Sequence, residues 1–332
     1  MMERLHRLTA AWGPAGREQR IAELLQEMIA PFADEIRTDR FGNLLAMRRG
    51  SGEGARVMLS AHMDTMGAIA LEANDQGLIR VAPVGGLRAQ HAQGQRVLWG
   101  GGPVGILQHE PVEDPKEIDF KRIWCDIGAS SREEALENVA LGDICTLVGD
   151  LQVMGDLVAG PGLDNRVGCA VLLQVAEHLG ACDHDVAFAF TCQGKVGPRG
   201  SGVAAYGLTP DIAFAVDLAA AEVPGGSRRG VSLGGGPALK LKDGGFMSHR
   251  ALADLVQRTA DDFSIPLQIE IGAGHDGPYD AQTIAQSGQG VPTAVIDIPG
   301  RYGGTALEVV NIRDLHGAAD LLLKLLGSPL QF

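Results

Sequence analysis

Apolar residues recur along the chain with two spacings, one typical of helices and the other of buried strands. Helical spacing covers residues 17–32, and the nearly continuous apolar run over residues 56–64 is typical of a strand buried on both faces. The two patterns then alternate, with helices predicted over residues 165–180, 252–263 and 313–326 and strands over residues 185–193, 211–219, 266–272 and 293–298. This alternation predicts an α/β sandwich around a parallel or mixed sheet.

The pattern changes between residues 70 and 155. Short apolar stretches are separated there by Gly and Asp turns, with a single helical piece over residues 131–140. Many short strands with regular turns are typical of a small β-barrel. The sequence therefore predicts two domains: a discontinuous α/β domain (residues 1–69 and 156–332) and an inserted β-barrel domain (residues 70–155).

Composition narrows the classes of function. The 332 residues are 45% hydrophobic, and 28 basic against 41 acidic residues give a net charge of −13. The sequence contains no run of basic residues, so nucleic acid and anionic membranes are not expected partners. No apolar span approaches the ~20 residues that cross a bilayer, and a cytoplasmic location is expected. The five cysteines form no Cys-x-x-Cys pair and are expected to be reduced core thiols.

Polar side chains follow several of the predicted buried strands, where α/β folds build their sites. His62 and Asp64 are two residues apart, so on a strand they face the same side. Asp64 can then accept the second ring N–H of His62, as carboxylates beside metal-bound histidines do. A solvated turn would explain the same pair.

Two further carboxylates complete a candidate metal site. Asp217 follows five apolar residues of a predicted core strand, where an unpaired carboxylate is costly to bury. Asp164 directly precedes a predicted helix, where an N-cap is the simpler interpretation. Together with His62 these residues form a nitrogen and oxygen ligand set suited to zinc, cobalt or manganese.

Eight segments resemble, in order and spacing, the tetrahedral-assembly aminopeptidases, a family of dinuclear zinc exopeptidases. The family includes glutamyl and deblocking aminopeptidases, and some members were once labelled endoglucanases. The segments are AHMDTMG, RVLWGGGPVGILQHE, WCDIGASSREEA, GPGLDNRVG, VGPRGSG, PDIAFAVDLA, YDAQTIAQSGQGVPTAVIDIPGRY and EVVNIRDL. The resemblance implies a zinc-exopeptidase-like α/β domain interrupted by a β-barrel of the dimerisation type, with dimers that build hollow dodecamers.

The resemblance also implies roles for the candidate residues. Members use two metal ions bridged by one Asp, a general-base Glu followed at once by a Glu ligand, and a late His ligand. By motif, His62, Asp164 and Asp217 match the ligands of one metal, with Asp164 as the bridge. Asp64 matches the residue that orients His62.

The other half of the family's site is absent from this chain. Gly194 stands at the general base, Lys195 at the adjacent Glu ligand, and Gly304 at the late His. Glycine cannot transfer a proton, a contribution that is typically 10²- to 10⁴-fold. The resemblance therefore implies at most one metal per chain, or a metal-free remnant, and peptidase activity that is impaired or absent.

Lys195 has three interpretations. Its ammonium could lie near Asp164 and replace the charge of the second metal. It could instead point into solvent, or act with a depressed pKa as a base or Schiff-base nucleophile. A substitute general base could come from four other acidic or imidazole side chains, namely Glu222, Asp280, His275 and Asp276.

Two functions remain open at this point. One is a degenerate aminopeptidase homologue that binds a peptide or small molecule, regulates or assembles as a homo-oligomer. The other is a functioning metal-dependent hydrolase with one metal or a relocated base. Arg301 and Tyr302 match the family's Arg-Tyr pair, for which a role near substrate and a structural role are both open.

Overall fold

A computed structural model describes residues 1–225, 230–272 and 279–330. The α-helices of this part of the chain are α1 (Met2–Ala10), α2 (Gln19–Ile29), α3 (Ala89–Ala92), α4 (Arg132–Asn138), α5 (Leu163–His178), α6 (Arg199–Leu208), α7 (Arg250–Asp262), α8 (Asp280–Ala285) and α9 (Ile312–Leu326). Short 3-10 helices lie at Ala30–Phe32, Pro115–Glu117, Phe120–Arg122 and Gly194–Val196.

The strands belong to one large sheet and one barrel. In chain order they are β1 (Glu35–Thr38), β2 (Leu44–Arg48), β3 (Arg56–His62), β4 (Gly67–Ala73), β5 (Ile79–Val84), β6 (Arg96–Trp99), β7 (Val104–His109), β8 (Ile123–Asp126), β9 (Ile144–Leu147), β10 (Gln152–Met154), β11 (Leu157–Gly160), β12 (Asp185–Thr191), β13 (Ile212–Ala220), β14 (Ala238–Lys242), β15 (Gln268–Ile271), β16 (Thr293–Arg301) and β17 (Glu308–Asn311).

The large sheet is mixed and has 11 strands, in the order β1-β2-β12-β3-β13-β16-β17-β11-β10, with β14 and β15 branching from β16. Its central strands β12, β3, β13 and β16 run parallel to one another. These strands are buried along almost their whole length, which explains their continuous apolar sequence. The carboxyl ends of β3, β12 and β13 therefore meet at one edge of the sheet, where the predicted site lies.

Helices cover both faces of this sheet. Helices α1, α2, α5, α7 and α9 pack with the main hydrophobic core on one face. Helices α6 and α8 pack together on the other face, against a smaller cluster that includes Leu45, Met58 and Ile284. The predicted α/β sandwich with a mixed sheet is confirmed.

The inserted segment forms a closed antiparallel barrel of six strands, in the order β4-β5-β8-β7-β6-β9. Its own buried cluster is centred on Trp99, Leu107 and Ile123, separate from the core of the sandwich. The barrel strands run from Gly67 to Leu147. The predicted barrel is confirmed, while the domain boundaries at residues 70 and 155 stay a prediction.

Two predictions from composition can be compared with the structure. All five cysteines are free thiols, and all but Cys182 are fully buried, as expected for core residues. Within the described residues no helix has the length and apolar character required to cross a membrane. The cytoplasmic location stays a prediction.

Candidate metal site

A cavity of about 560 Å³ opens at the carboxyl ends of β3 and β13. His62, Asp164, Lys195 and Asp217 all line it, together with backbone of Gly194. These residues lie far apart in the sequence and on four different elements. The fold therefore brings together the residues that the sequence motifs single out.

Strand periodicity explains how His62 and Asp217 reach the same cavity. On β3, Met58 packs in the cluster under α6 and α8, and alternate residues share a face, so His62 faces the same side. On β13, Ala215 packs beneath α8 and Asp217 follows it two residues later. Both strands end here, so both side chains project from the buried sheet edge toward the cavity.

Asp164 reaches the cavity from the first turn of α5. The first turn of this helix is interrupted at Asp164 and Asn165, and Asn165 Oδ1 caps the continuous part by accepting a hydrogen bond from the N–H of Gly168 at 3.1 Å. Asp164 has non-helical dihedral angles, and its carboxylate faces His62 and Lys195. The N-cap interpretation of Asp164 is therefore wrong, because Asn165 makes the capping hydrogen bond while the Asp164 carboxylate faces the cavity.

The three predicted ligands converge on one point. His62 Nε2 lies 3.4 Å from Asp164 Oδ1 and 3.8 Å from Asp217 Oδ1, and one donor atom of each residue lies within 4.8 Å of the others. Asp164 Oδ1 is buried without a hydrogen-bond partner. One imidazole and two carboxylates with an unsatisfied oxygen suit a divalent metal that keeps an open fourth position. The residues present therefore fit the metal that the ligand set predicts.

Asp64 is fully buried behind His62 and connects it to the turn at Gly194–Val196. Asp64 Oδ1 lies 3.3 Å from His62 Nδ1. Its two carboxylate oxygens also accept hydrogen bonds from the N–H groups of Gly194 (2.7 Å) and Lys195 (2.8 Å). Asp64 thus contacts His62 and also holds the backbone that presents Lys195, while its predicted role in orienting a metal-bound His62 stays a prediction.

Lys195 points into the cavity and not into solvent. Its Nζ lies 2.5 Å from Asp164 Oδ2, and only 15% of its side chain is exposed. Burial opposes its charge, but the carboxylates of Asp164 and Glu308 outweigh this effect and raise the pKa of Lys195 to about 12. A nucleophilic amine needs a depressed pKa, so this environment disfavours a Schiff-base role.

The pKa values of Asp164, Asp217 and His62 are also shifted by burial and by the neighbouring charges. Burial tends to raise the pKa of Asp164, but Lys195 and His62 hold this pKa well below its usual range. Burial raises the pKa of Asp217 to about 7, with His62 opposing it. Burial lowers the pKa of His62, but the adjacent carboxylates of Asp164 and Asp64 raise it well above the ordinary value. Protons and a metal ion therefore compete for this ligand set.

Gly194 has no room for a side chain in this arrangement. A Cβ atom built on Gly194 would lie 2.4 Å from Cγ of His62, far inside van der Waals contact. Gly304 lies across the cavity at φ 79°, a conformation that favours glycine. Neither Gly194 nor Gly304 offers a titratable group to the cavity.

Of the four candidate substitute bases, the two that the structure describes, Asp280 and Glu222, do not line the cavity. Asp280 is buried, and its Oδ2 accepts hydrogen bonds from Ser60 (3.0 Å) and Thr191 (2.7 Å), which supports a structural role. Glu222 is not among the described residues that line the cavity, although its backbone oxygen accepts a hydrogen bond from Arg301 Nε at 2.6 Å.

Of the remaining candidates, only Tyr302 belongs to the described residues. Tyr302 lines the cavity and adopts φ 59°, in the left-handed region that non-glycine residues seldom occupy. His275 and Asp276 lie outside the described residues, so their possible role as a base stays a prediction.

Sequence motifs alone do not single out Glu308, although it belongs to the site. This carboxylate is fully buried at the start of β17 and accepts hydrogen bonds from the N–H groups of Asp164 (2.9 Å) and Gly304 (3.3 Å). Burial and the nearby charge of Asp164 raise the pKa of Glu308 to about 8, with Lys195 opposing them. A lone Glu before an apolar strand was the only signal for this residue.

A mixed-sheet α/β domain with an inserted barrel, and a histidine and two carboxylates at the strand ends, defines the class of metal-dependent hydrolases of the exopeptidase type. Residues 42–321 match the family described as M42 glutamyl aminopeptidase. This chain belongs to that family. A relative from Acetivibrio thermocellus is 37% identical over 326 residues, covering 98% of each chain.

Solved structures are similar along almost the whole chain. An aminopeptidase from the archaeon Desulfurococcus kamchatkensis has a TM-score of 0.94 and 33% identity, covering 98% of this chain and 94% of its own. The TET1 peptidase of Pyrococcus horikoshii has a TM-score of 0.86 and 31% identity, covering 98% of each chain. That peptidase can assemble into a tetrahedron or a large octahedral shell. The family resemblance drawn from the motifs is confirmed.

Proposed function

We propose that this chain is an M42-family protein with a one-metal site. In this proposal His62, Asp164 and Asp217 hold one divalent ion, namely zinc, cobalt or manganese, and the ammonium of Lys195 stands where a second ion would bind. The observation that carries the proposal is the 2.5 Å contact between Lys195 Nζ and Asp164 Oδ2. The positive charge of the Lys195 ammonium offsets the repulsion among the carboxylates, and the ammonium pairs with Asp164 Oδ2.

At the two positions that the resemblance assigns to the general base and the adjacent ligand, both within the described residues, no group can accept a proton during peptide hydrolysis. A bound ion would polarise a carbonyl oxygen and lower the pKa of a bound water. Gly194 offers only its backbone N–H, which Asp64 already accepts at 2.7 Å. Lys195 is protonated and cannot accept a proton at neutral pH. We therefore infer that peptidase activity is strongly reduced or absent and that the cavity serves to bind a ligand.

An activity assay tests this proposal directly. Purified protein is incubated with a panel of aminoacyl chromogenic substrates in the presence of zinc, cobalt or manganese. We expect turnover at least about 10²-fold below that of an M42 aminopeptidase measured in parallel, because general-base catalysis is missing. Turnover that is comparable, and that disappears in Asp217→Ala, would instead establish a functioning hydrolase with a single metal or a relocated base.

We also propose that the chain forms homo-oligomers built from dimers, up to a dodecamer. Its similarity to a peptidase that assembles into a tetrahedron supports this proposal. So do the exposed Val104 and Ile106, which lie on the same strand of the barrel with 55% and 46% of their surface accessible. Sedimentation velocity should give a mass that is an even multiple of 34.8 kDa, and a monomer at micromolar concentration would contradict the proposal.

A further inference from the structure

The charged side chains of the cavity do not suit a ligand with a free amine. Asp164 and Asp217 contribute two negative charges, and Lys195 and Arg88, which lines the mouth on the barrel side, contribute two positive charges. These four lining charges balance, so a divalent ion on the three-residue ligand set leaves the surface of the cavity with an excess of positive charge. The carboxylates of Asp64 and Glu308 lie behind this surface and are fully buried, where both accept hydrogen bonds from backbone N–H groups. An excess of positive charge attracts anions and repels ammonium groups.

We propose that this cavity binds the carboxylate of a small apolar acid, such as an acylated amino acid, and that Lys195 is the residue that selects it. The proposal rests on the one-metal site proposed above. It assigns a ligand class that differs from a peptide amino terminus, which carries the opposite charge.

Lys195 has hydrogen-bonding capacity left for such a ligand. An ammonium carries three N–H donors, and the only described carboxylate within ion-pair distance of Lys195 Nζ is that of Asp164. The side chain is 15% exposed and lines the cavity, so the remaining donors are accessible from its interior. A ligand carboxylate there would receive a charge-assisted hydrogen bond, the stronger type of such contacts. Arg88 is exposed at the mouth and adds a second positive charge.

An amine would find no comparable partner among the described residues that line the cavity. Asp164 Oδ1, which has no hydrogen-bond partner in the described part of the chain, would be taken by the metal ion of the proposed site, and Asp164 Oδ2 faces Lys195. Asp217 Oδ1 accepts a hydrogen bond from the N–H of Leu218 at 2.8 Å and faces His62. A protonated amine entering the cavity would therefore meet Lys195 without a carboxylate to offset its charge.

The uncharged part of the lining supports an apolar group on the ligand. Met66, Leu218, Ala219 and Val223 line the same cavity. An aliphatic side chain buried against them gains roughly 25 cal/mol for each Å² of apolar surface removed from water. A leucine-sized acid is accordingly a suitable probe.

Titration calorimetry on the full-length, zinc-loaded protein tests the proposal with three matched probes. N-acetyl-L-leucine carries the carboxylate, L-leucinamide carries the amine, and N-acetyl-L-leucinamide carries neither group. We expect the acid to bind at least about ten-fold more tightly than the neutral amide, and the amine more weakly than both, because only the acid gains a charge-assisted hydrogen bond. N-acetylglycyl-L-leucine distinguishes a single acylated residue from the end of a longer peptide, and either acid supports the proposal.

Variants identify the residue responsible. Lys195→Gln should remove most of the preference for the acid, and Lys195→Arg should retain it, whereas Lys116→Gln on the exposed Pro115–Glu117 turn should change nothing. Thermal melting checks that each variant is folded. If Lys195→Gln does not fold, the order of affinities of the three probes for the unmodified protein tests the proposal. Equal binding of acid and neutral amide, tighter binding of the amine, or no binding of any probe would overturn the inference. Each of these results is compatible with a single bound zinc ion, whose count tests the proposed function separately.

Discussion

Gly194 packs against His62 so closely that this position has no room for a side chain. A Cβ atom at this position would lie 2.4 Å from Cγ of His62 and 2.5 Å from its Cβ. The sequence resemblance indicates only that the general base is missing. The structure adds that position 194 has no room for a side chain unless His62 or the adjacent turn moves, so Gly194→Glu alone should not create a working general base.

The first prediction follows from this contact. Gly194→Ala should lower the affinity for zinc at least about ten-fold, because displacement of His62 removes a ligand from its position, and comparable losses follow when histidine orientation is disturbed. Competition with a chromogenic chelator measures the change. Gly303→Ala is the matched control, since Gly303 lines the same cavity and an added Cβ there meets nothing within 4 Å. Unchanged zinc affinity in Gly194→Ala would contradict the proposed role of the contact.

Motifs identified His62, Asp164 and Asp217 as candidates because each follows or precedes a strongly apolar element of recognisable length. They could not give the direction of the Lys195 side chain. That direction depends on the two backbone hydrogen bonds that Asp64 accepts from Gly194 and Lys195. The interaction joins residues 130 and 131 positions apart in sequence, which local patterns cannot reveal.

At the scale of elements, a buried ion cluster connects β14, β15 and β16. Lys240 Nζ lies 2.6 Å from Glu270 Oε1 and 3.0 Å from Asp297 Oδ2, and Lys240 and Asp297 are fully buried. The ring of Tyr279 lies over the ammonium at 4.4 Å. Because two carboxylates share one lysine, loss of the lysine would leave uncompensated negative charge in the interior.

The second prediction concerns this lysine. Lys240→Met should lower the free energy of unfolding by about 3–5 kcal/mol, because removal of one partner from a buried ion pair leaves the other unpaired. Urea denaturation followed by circular dichroism measures the change. Lys242→Met, on the same strand but exposed, should stay within about 0.5 kcal/mol of the unmodified protein. Equal effects of the two substitutions would show that the cluster does not stabilise the sheet.

The third prediction is a pH dependence of stability that arises from Glu270. Burial, followed by the charge of Asp297, raises the pKa of Glu270 from an ordinary 4.5 to about 8, with Lys240 opposing this shift. Between these values the folded chain binds more protons than the unfolded chain. This contribution to stability is therefore complete below about pH 4.5 and is lost as the pH rises toward 8.

Glu270→Gln removes this titration and provides the comparison. Between pH 5 and 8 the unmodified protein should lose stability relative to Glu270→Gln, by at most about 1.4 kcal/mol for each pH unit. Urea unfolding of both proteins at each pH unit measures the difference. Curves that stay parallel across this range would contradict a raised pKa for Glu270.

Periodicity predicted the long helices well, since α2, α5, α7 and α9 all lie within three residues of the predicted ranges. It did not predict α6, whose sequence RGSGVAAYGL contains three glycines and has low helix propensity. Packing explains the helix. A Cβ at Gly200 would lie 2.2 Å from Asn43 Oδ1 and 2.6 Å from the backbone oxygen of Cys192, so glycine allows α6 to approach the residue before β2 and the residue after β12 closely.

At the scale of the whole molecule, the site depends on contacts between parts of the chain that lie far apart in sequence. Glu308 at the start of β17 accepts the N–H of Asp164, 144 residues earlier, and so connects the last strand of the sheet to the first turn of α5. Sequence patterns predicted the sandwich, the barrel and the three candidate ligands. They could not predict Glu308, because its role comes only from the order in which the strands pair.

The central claim is that one metal ion and one lysine ammonium share Asp164, and anomalous X-ray scattering at the zinc edge tests it most directly. Crystals of the full-length protein grown with excess zinc should show one anomalous peak per chain, about 2 Å from His62 Nε2 and adjacent to Asp217. Lys195 Nζ should lie on the opposite side of Asp164. Two peaks about 3.5 Å apart on either side of Asp164 would contradict the account.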